Sequence, residues 1–223
     1  MRLQSWFSPA FPIGAYSYSH GIEWAVEAGD IHDCGMLIDW LATDLRYGSG
    51  RNEAILFAQT WRCVQRDDDA RLCEIAELAA ALRGTAEFAL ESSQQGAACL
   101  ATLRRVWPDD ALDTLAAMLR ERGIRPSLPV VLAARAARER IPVEVALSCF
   151  LQSYSANLVT AGVRLVPLGQ TDGQRAIAAL EPVVLGATAE ALQAEIDDVG
   201  SCAFRVDLAS TAHEIQYTRL FRS

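Results

Sequence analysis

The chain has 223 residues, 51% hydrophobic and 22% charged, with a net charge of −8. That is enough for one domain with a real core, and no apolar run reaches the roughly 18–20 residues that cross a bilayer. The acidic balance excludes a phosphate-backbone binder, so we expect no nucleic acid and no membrane among the partners. All twenty basic residues are arginine, which excludes a P-loop lysine, a Schiff-base lysine, a lysine general base and with them an autonomous Walker-type NTPase.

The opening MRLQSWFSPAFPIG lacks the apolar core and small-residue cleavage site of a secretory signal, which predicts a cytoplasmic location. SPAFPIGAYSYSHG mixes prolines, glycines and hydroxyl residues and predicts an ordered loop that can show Tyr16, Ser17 and Tyr18 to a partner. A helix then starts at Gly21 or Ile22, with Glu23 in its first turn, where an anion suits the helix dipole. Asp33 is placed to cap a helix striped by Met36, Leu37, Trp40, Leu41 and Leu45, with Gly48 as its stop.

Helical segments follow at 53–66 and 70–82. Thr85 starts a long one reaching Val106, and Asp109 or Asp110 caps the next, through Leu112, Leu115, Met118 and Leu119 to Gly123. Ser127 ahead of Leu128-Pro129 opens another. Pro142 begins the longest stripe, Val143, Leu147, Phe150, Leu151, Tyr154, Leu158 and Leu165, which predicts a central helix covered on more than one face. Arg164 closes it, where a cation meets the exposed carbonyls and can also reach a partner's carboxylate or phosphate. LVPLGQTDGQ then interrupts the pattern and predicts a second presenting loop, carrying Pro167, Gly169 and Gln170. CAFRVDLAST has weak periodicity, and the ending HEIQYTRLFRS is richer in contact-making side chains than a terminus usually is. With no sustained period-2 alternation, the fold class is all-α: a multi-helix bundle over 1–200 and a flexible or partner-ordered tail over 201–223.

Enzyme templates fail in turn. His213-Glu214 lacks the second histidine of HExxH. Ser17, Ser19 and His20 sit close together without a GxSxG elbow, and Gly48-Ser49-Gly50 is not a dinucleotide fingerprint. The cysteines at 34, 63, 73, 99, 149 and 202 show no CxxC pair or zinc spacing. They read as small core hydrophobes, with Cys34 and Cys202 nearer helix ends. The expectation is a protein with no catalytic residues, no metal site and no cofactor of its own.

Taken together, SPAFPIGAYSYSHGIEWAVEAG, GVRLVPLGQTDGQ and HEIQYTRLFRS closely resemble the urease accessory protein F (UreF) family, in the family's order and over effectively the whole chain. The resemblance implies an all-helical, homodimeric, non-catalytic adaptor in urease maturation. It would bind accessory protein D (also called H) and recruit the GTPase accessory protein G, and the complex would load nickel into apo-urease. Glu23 and Arg164 match positions associated with the surface that meets the GTPase. Tyr217, Arg219, Leu220, Phe221 and Arg222 match the tail that orders against accessory protein D, and His213 and Glu214 open that segment. The chain starts almost at the first motif, without the longer amino-terminal extension some relatives use in partner contacts. The alternative is a nickel-binding metallochaperone using His213, Cys202 or dimer-related copies of His20; scattered ligands do not define such a site.

Overall fold

Four carboxylate or hydroxyl side chains start helices by accepting an otherwise unpaired backbone N–H. Asp33 accepts from Met36 at 2.9 Å, Asp68 from Arg71 at 3.0 Å, Thr85 from Phe88 at 3.1 Å and Asp109 from Ala111 at 2.8 Å. In a computed structural model describing residues 1–222, they open four of eleven α-helices, and the described residues contain no strand. Ser223, the last residue of the expected tail, lies outside the described residues. In order the helices are α1 (Arg2–Trp6), α2 (Ile22–Glu27), α3 (Cys34–Tyr47), α4 (Ser49–Gln65), α5 (Asp69–Ala81), α6 (Ala86–Val106), α7 (Asp110–Glu121), α8 (Leu128–Arg138), α9 (Val143–Leu165), α10 (Gln170–Gln193) and α11 (Phe204–His213). The all-α bundle is as expected.

The longest continuously buried stretches belong to α4 and α8, and α9 is covered on more than one face as expected, packing against α10, α4, α8, α2 and α3. Every residue of α4 from Asn52 to Thr60 is buried, and so is every residue of α8 from Pro129 to Ala137. Alanines on α8 let the two approach closely, whereas α9 keeps exposed Glu144 and Val145 near its start and exposed Thr160 and Arg164 near its end. Phe57 of α4 stacks on Phe150 of α9 with centroids 5.2 Å apart. Polar α4 side chains close the joints: Trp61 donates to the Ile141 carbonyl at 2.9 Å and Gln65 to that of Ala137 at 2.6 Å.

Three segments differ from expectation. The amino-terminal residues form α1, whose Trp6 is buried edge-on to Trp107. The break around Pro167 is short: helix resumes at Gln170, with Gly173 inside α10, because Asp172 folds back to accept the Gly169 N–H at 3.1 Å. The weakly periodic stretch near the carboxyl end is a full helix, α11, burying Val206, Ala209, Ser210 and His213 against the bundle. Within residues 201–222, the inner face of α11 and Phe221 are therefore packed on the chain's own helices, while Phe204, Leu208, Ile215, Tyr217 and Leu220 stay exposed. Of the described helices, α10 is long and apolar enough to cross a membrane by length and composition, yet it packs against α3, α9 and α4 within the bundle.

Candidate functional site

The SYSHG turn and the carboxyl-terminal tail meet. His20 and Gly21 both adopt left-handed backbone, with φ of 57° and 80°. At Gly21 a side chain is doubly excluded, because a Cβ would lie 3.0 Å from the Ser210 nitrogen. That close approach sets α11 beside α2 and points Glu23 inward. Glu23 is only 7% exposed, and its carboxylate accepts the backbone N–H groups of Leu220 at 2.6 Å and Phe221 at 2.9 Å. In the first turn of α2, Glu23 therefore serves the tail and not the helix dipole alone.

A chain of charge continues from it. The fully buried His213 ring lies between two carboxylates, with Nε2 3.0 Å from Glu23 and Nδ1 2.8 Å from Glu87. Two hydrogen bonds to carboxylate oxygens need two protons, shared among the three groups. Arg219 of the tail donates to the other Glu87 oxygen at 3.0 Å. Burial pushes the Glu87 carboxyl above its ordinary range, against the downward pull of His213 and Arg219. The Glu214 carboxylate accepts the Ala86 N–H at 2.9 Å, pairing a backbone donor that the start of α6 leaves open.

The last described residues cross the Tyr16–Tyr18 turn. Phe221 is 4% exposed, and the Arg164 guanidinium lies over its ring, 4.3 Å from the centroid. The same guanidinium donates to the Tyr16 carbonyl at 2.7 Å, and the Arg222 N–H donates to the Ser17 carbonyl at 2.8 Å. Tyr18 is buried and gives its hydroxyl proton to Gln94 at 2.5 Å, while Arg222 donates to the same Gln94 oxygen at 3.3 Å. Burial raises the Tyr18 hydroxyl's pKa against the pull of Arg222. Tyr16, Ile215, Tyr217 and Leu220 are left exposed on this surface. Pro167, Gly169 and Gln170, in the turn just after Arg164, are exposed as well.

Beside this site lies a second buried histidine with the outline of a catalytic triad. His20 Nε2 is 2.6 Å from the Ser49 hydroxyl and Nδ1 is 3.1 Å from Glu91. Its hydrogen bonds run the wrong way for nucleophilic catalysis. Ser49 gives its single proton to Asp44 at 2.8 Å, and Tyr154 gives its own to Asp44 at 2.7 Å. The His20 ring must therefore donate to Ser49, and it donates to Glu91 on the other side. Burial works against that charge, but Glu91, Asp44 and Glu53 outweigh it and push the ring's pKa up. A ring that holds its proton cannot take one from serine. The arrangement is a structural tie between the turn, α3, α4, α6 and α9.

His213, His20 and Cys202, the residues of the metallochaperone alternative, are engaged separately: the first two in these networks, the third exposed with its N–H on the Tyr47 carbonyl. Among the described residues no group of three or more His, Cys, Asp or Glu is arranged to hold a metal ion. Sequence reasoning missed Glu87, Glu91, Asp44 and Tyr154, which read as ordinary helical positions; only folding brings them to the histidines.

The UreF family model matches residues 31–181. The urease accessory protein UreF of Rhodopseudomonas palustris (strain HaA2) is 48% identical over 222 residues, spanning 100% of this chain and 92% of its own length. That of Bradyrhizobium sp. (strain ORS 278) is 49% identical over 222 residues, spanning 100% and 91%.

Proposed function

The chain belongs to the UreF family, and from that premise we propose that it recruits its partners through the surface formed where its tail crosses the Tyr16–Tyr18 turn. It is a urease accessory protein with an adaptor's role in maturation, not an enzyme. In this reading it works in the cytoplasm as a homodimer that captures accessory protein D (or H) and then brings in the GTPase accessory protein G, so that the complex inserts nickel into apo-urease. Nickel is cargo of that complex, and nucleotide hydrolysis stays with the GTPase.

One observation carries the choice of surface. The tail is pinned from beneath by Glu23 and Arg164, while Tyr217, Leu220 and Tyr16 face outward with nothing of this chain over them. Large side chains that stay exposed on a segment pinned by its own backbone are pre-organised for a partner, because less ordering entropy remains to be lost on binding. Aromatic and arginine residues are also the usual interface anchors. Glu23, His213, Glu87 and Glu214 then act indirectly, by holding the tail. Arg164, Arg219 and Arg222 have one side on the tail or the turn and the other toward solvent.

The test is capture of accessory protein D by the purified chain carrying Tyr217→Asp and Leu220→Asp. Both side chains are exposed, so the fold should be unchanged and capture should fall by about tenfold or more, the scale of one lost anchor. Undiminished capture would move the interface elsewhere.

A further inference from the structure

We infer that the open pocket between α5, α6 and the turn leading into α8 is a binding site for a phosphate group, free or carried as the monoester of a small molecule. None of its lining residues belongs to the tail surface, so it is a separate site.

Among the described residues, seven buried side-chain polar atoms have no hydrogen-bond partner, and three of them belong to residues of this one pocket: Arg83 Nη2, Ser92 Oγ and Ser127 Oγ. Ser92 is 9% exposed, Ser127 4%, and the Arg83 side chain 9%. Folding rarely leaves a buried polar atom unpaired, because its lost hydration is not returned. The packing explains how the three come together. Gly96 lets α6 lie directly against the 126–127 turn, where a Cβ would run into the Pro126 carbonyl, and Ser92 is one turn before Gly96 on the same face of the helix. Arg83 is fixed from two other sides: its Nε donates to the Ala79 carbonyl at 3.0 Å and its Nη1 to the Glu53 carboxylate. Ser127 stands at the start of the eleven-residue α8, yet unlike Asp33, Asp68, Thr85 and Asp109 its side chain caps no backbone N–H.

The chemistry of these groups selects the occupant. A guanidinium N–H can only donate, and each serine hydroxyl has a proton to give. The ligand therefore brings several acceptor oxygens and negative charge. A phosphate group presents three or four oxygens in a tetrahedral array, where a carboxylate has two, and arginine pairs with it strongly. The amino-terminal end of α8 adds the positive pole of a helix. Exposed Arg125 also lines the pocket; Glu77, a carboxylate in the lining, has the Arg122 guanidinium 3.7 Å away. The acidic balance of the whole chain disfavours an extended polyanion but leaves this local positive charge in place. All three unpaired atoms are closed from solvent; a turn of χ1 between staggered positions carries either hydroxyl to the pocket its residue lines. The volume, about 450 Å³, lies within the roughly 300–1,000 Å³ of small-molecule sites. Ala80, Ala89 and Ile124 give it apolar wall for the organic part of an ester.

The test is calorimetric titration of the full chain with inorganic phosphate and, separately, with glycerol phosphate, against chloride at matched ionic strength, alongside thermal melts. Saturable binding and a melting temperature that rises with ligand concentration are expected. Ser92→Ala and Ser127→Ala each remove an unpaired hydroxyl, so the melt without phosphate should stay the same or rise, while affinity falls by about tenfold or more for a lost bond to a charged group. Arg125→Ala should weaken binding as well. Tighter binding of the ester assigns the site to a phosphorylated small molecule, and tighter binding of inorganic phosphate assigns it to the free ion. Absence of saturable binding by either, affinity unchanged in both serine variants, or serine variants that melt lower without phosphate would each overturn the site.

Discussion

The side-chain carboxylate of Glu23 accepts the backbone N–H of Phe221 at 2.9 Å, across 198 residues of chain. The same carboxylate holds the Leu220 N–H and the buried His213 ring, so one side chain ties the first long motif to the last. Glu23→Ala leaves the buried Phe221 and His213 donors without an acceptor, at about 1–3 kcal/mol for each unsatisfied group. We expect urea denaturation to show a loss of about 2–4 kcal/mol and limited proteolysis to cut the tail first. Glu23→Gln keeps the shape and one acceptor oxygen and should lose about half as much. A Glu23→Ala protein with wild-type stability and a protected tail would refute the clamp.

Arg164 should behave differently, because its contact with Phe221 lies at the surface. A guanidinium over an aromatic face in an exposed site contributes about 0.5–1 kcal/mol, and the hydrogen bond to the Tyr16 carbonyl adds to it. Arg164→Ala should leave the global melt nearly unchanged while hydrogen exchange at the Phe221 and Arg222 amides speeds up. Unchanged exchange there would mean that Arg164 does not hold the tail.

Much of the bundle is legible in the sequence, where a local chemical rule decides the outcome. Asp33, Thr85 and Asp109 cap where their spacing to the following apolar stripe says they should, and Gly48 ends α3. The carboxyl-terminal region is not legible that way. The inner face of α11 includes Ser210 and His213, so its periodicity is invisible on a hydrophobicity scale. His213 becomes a core residue only because Glu23 and Glu87 arrive from α2 and α6. Tail docking is likewise a long-range event, decided by carboxylates that read as ordinary first-turn helix residues. A tail with exposed Tyr217 and buried Phe221 has one composition and two environments, and only the clamp sorts them.

Stability should fall as pH rises above neutrality. Burial opposes the charge on His20, but Glu91, Asp44 and Glu53 win, so the folded ring binds its proton more tightly than the ordinary value of 6.5. A folded pKa raised above the unfolded one stabilises fully below about pH 6.5 and loses that contribution as pH rises through the folded value. Glu87, raised from 4.5 mainly by burial, has the same sign at lower pH, since its folded form also holds the extra proton. Urea midpoints should therefore decline from about pH 6 to about pH 9, and His20→Gln should flatten that slope. A wild-type stability that climbs over this interval would contradict the His20 assignment.

Two helical glycines should respond to the same substitution with opposite signs. A Cβ on Gly96 of α6 would sit 2.2 Å from the Pro126 carbonyl oxygen, a backbone atom that cannot step aside. Gly96→Ala should cost about 1–3 kcal/mol or more through overpacking. Gly186→Ala meets nothing within the chain and should stabilise the isolated fold by up to about 1 kcal/mol from helix propensity. Thermal melts of the two variants side by side check both. A neutral Gly96→Ala would show that α6 does not approach the 126–127 turn so closely.

The central claim, that this chain is a non-catalytic adaptor of urease maturation, is tested most directly by reconstitution. Apo-urease would be mixed with nickel, GTP and accessory proteins D and G, with or without this chain, and urease activity and GTP hydrolysis followed together. The account predicts that activation depends on adding this chain, that the chain alone hydrolyses no GTP, and that the Tyr217→Asp/Leu220→Asp variant fails to support activation although it folds. Full activation in its absence, or activation by the folded variant equal to wild type, would contradict it.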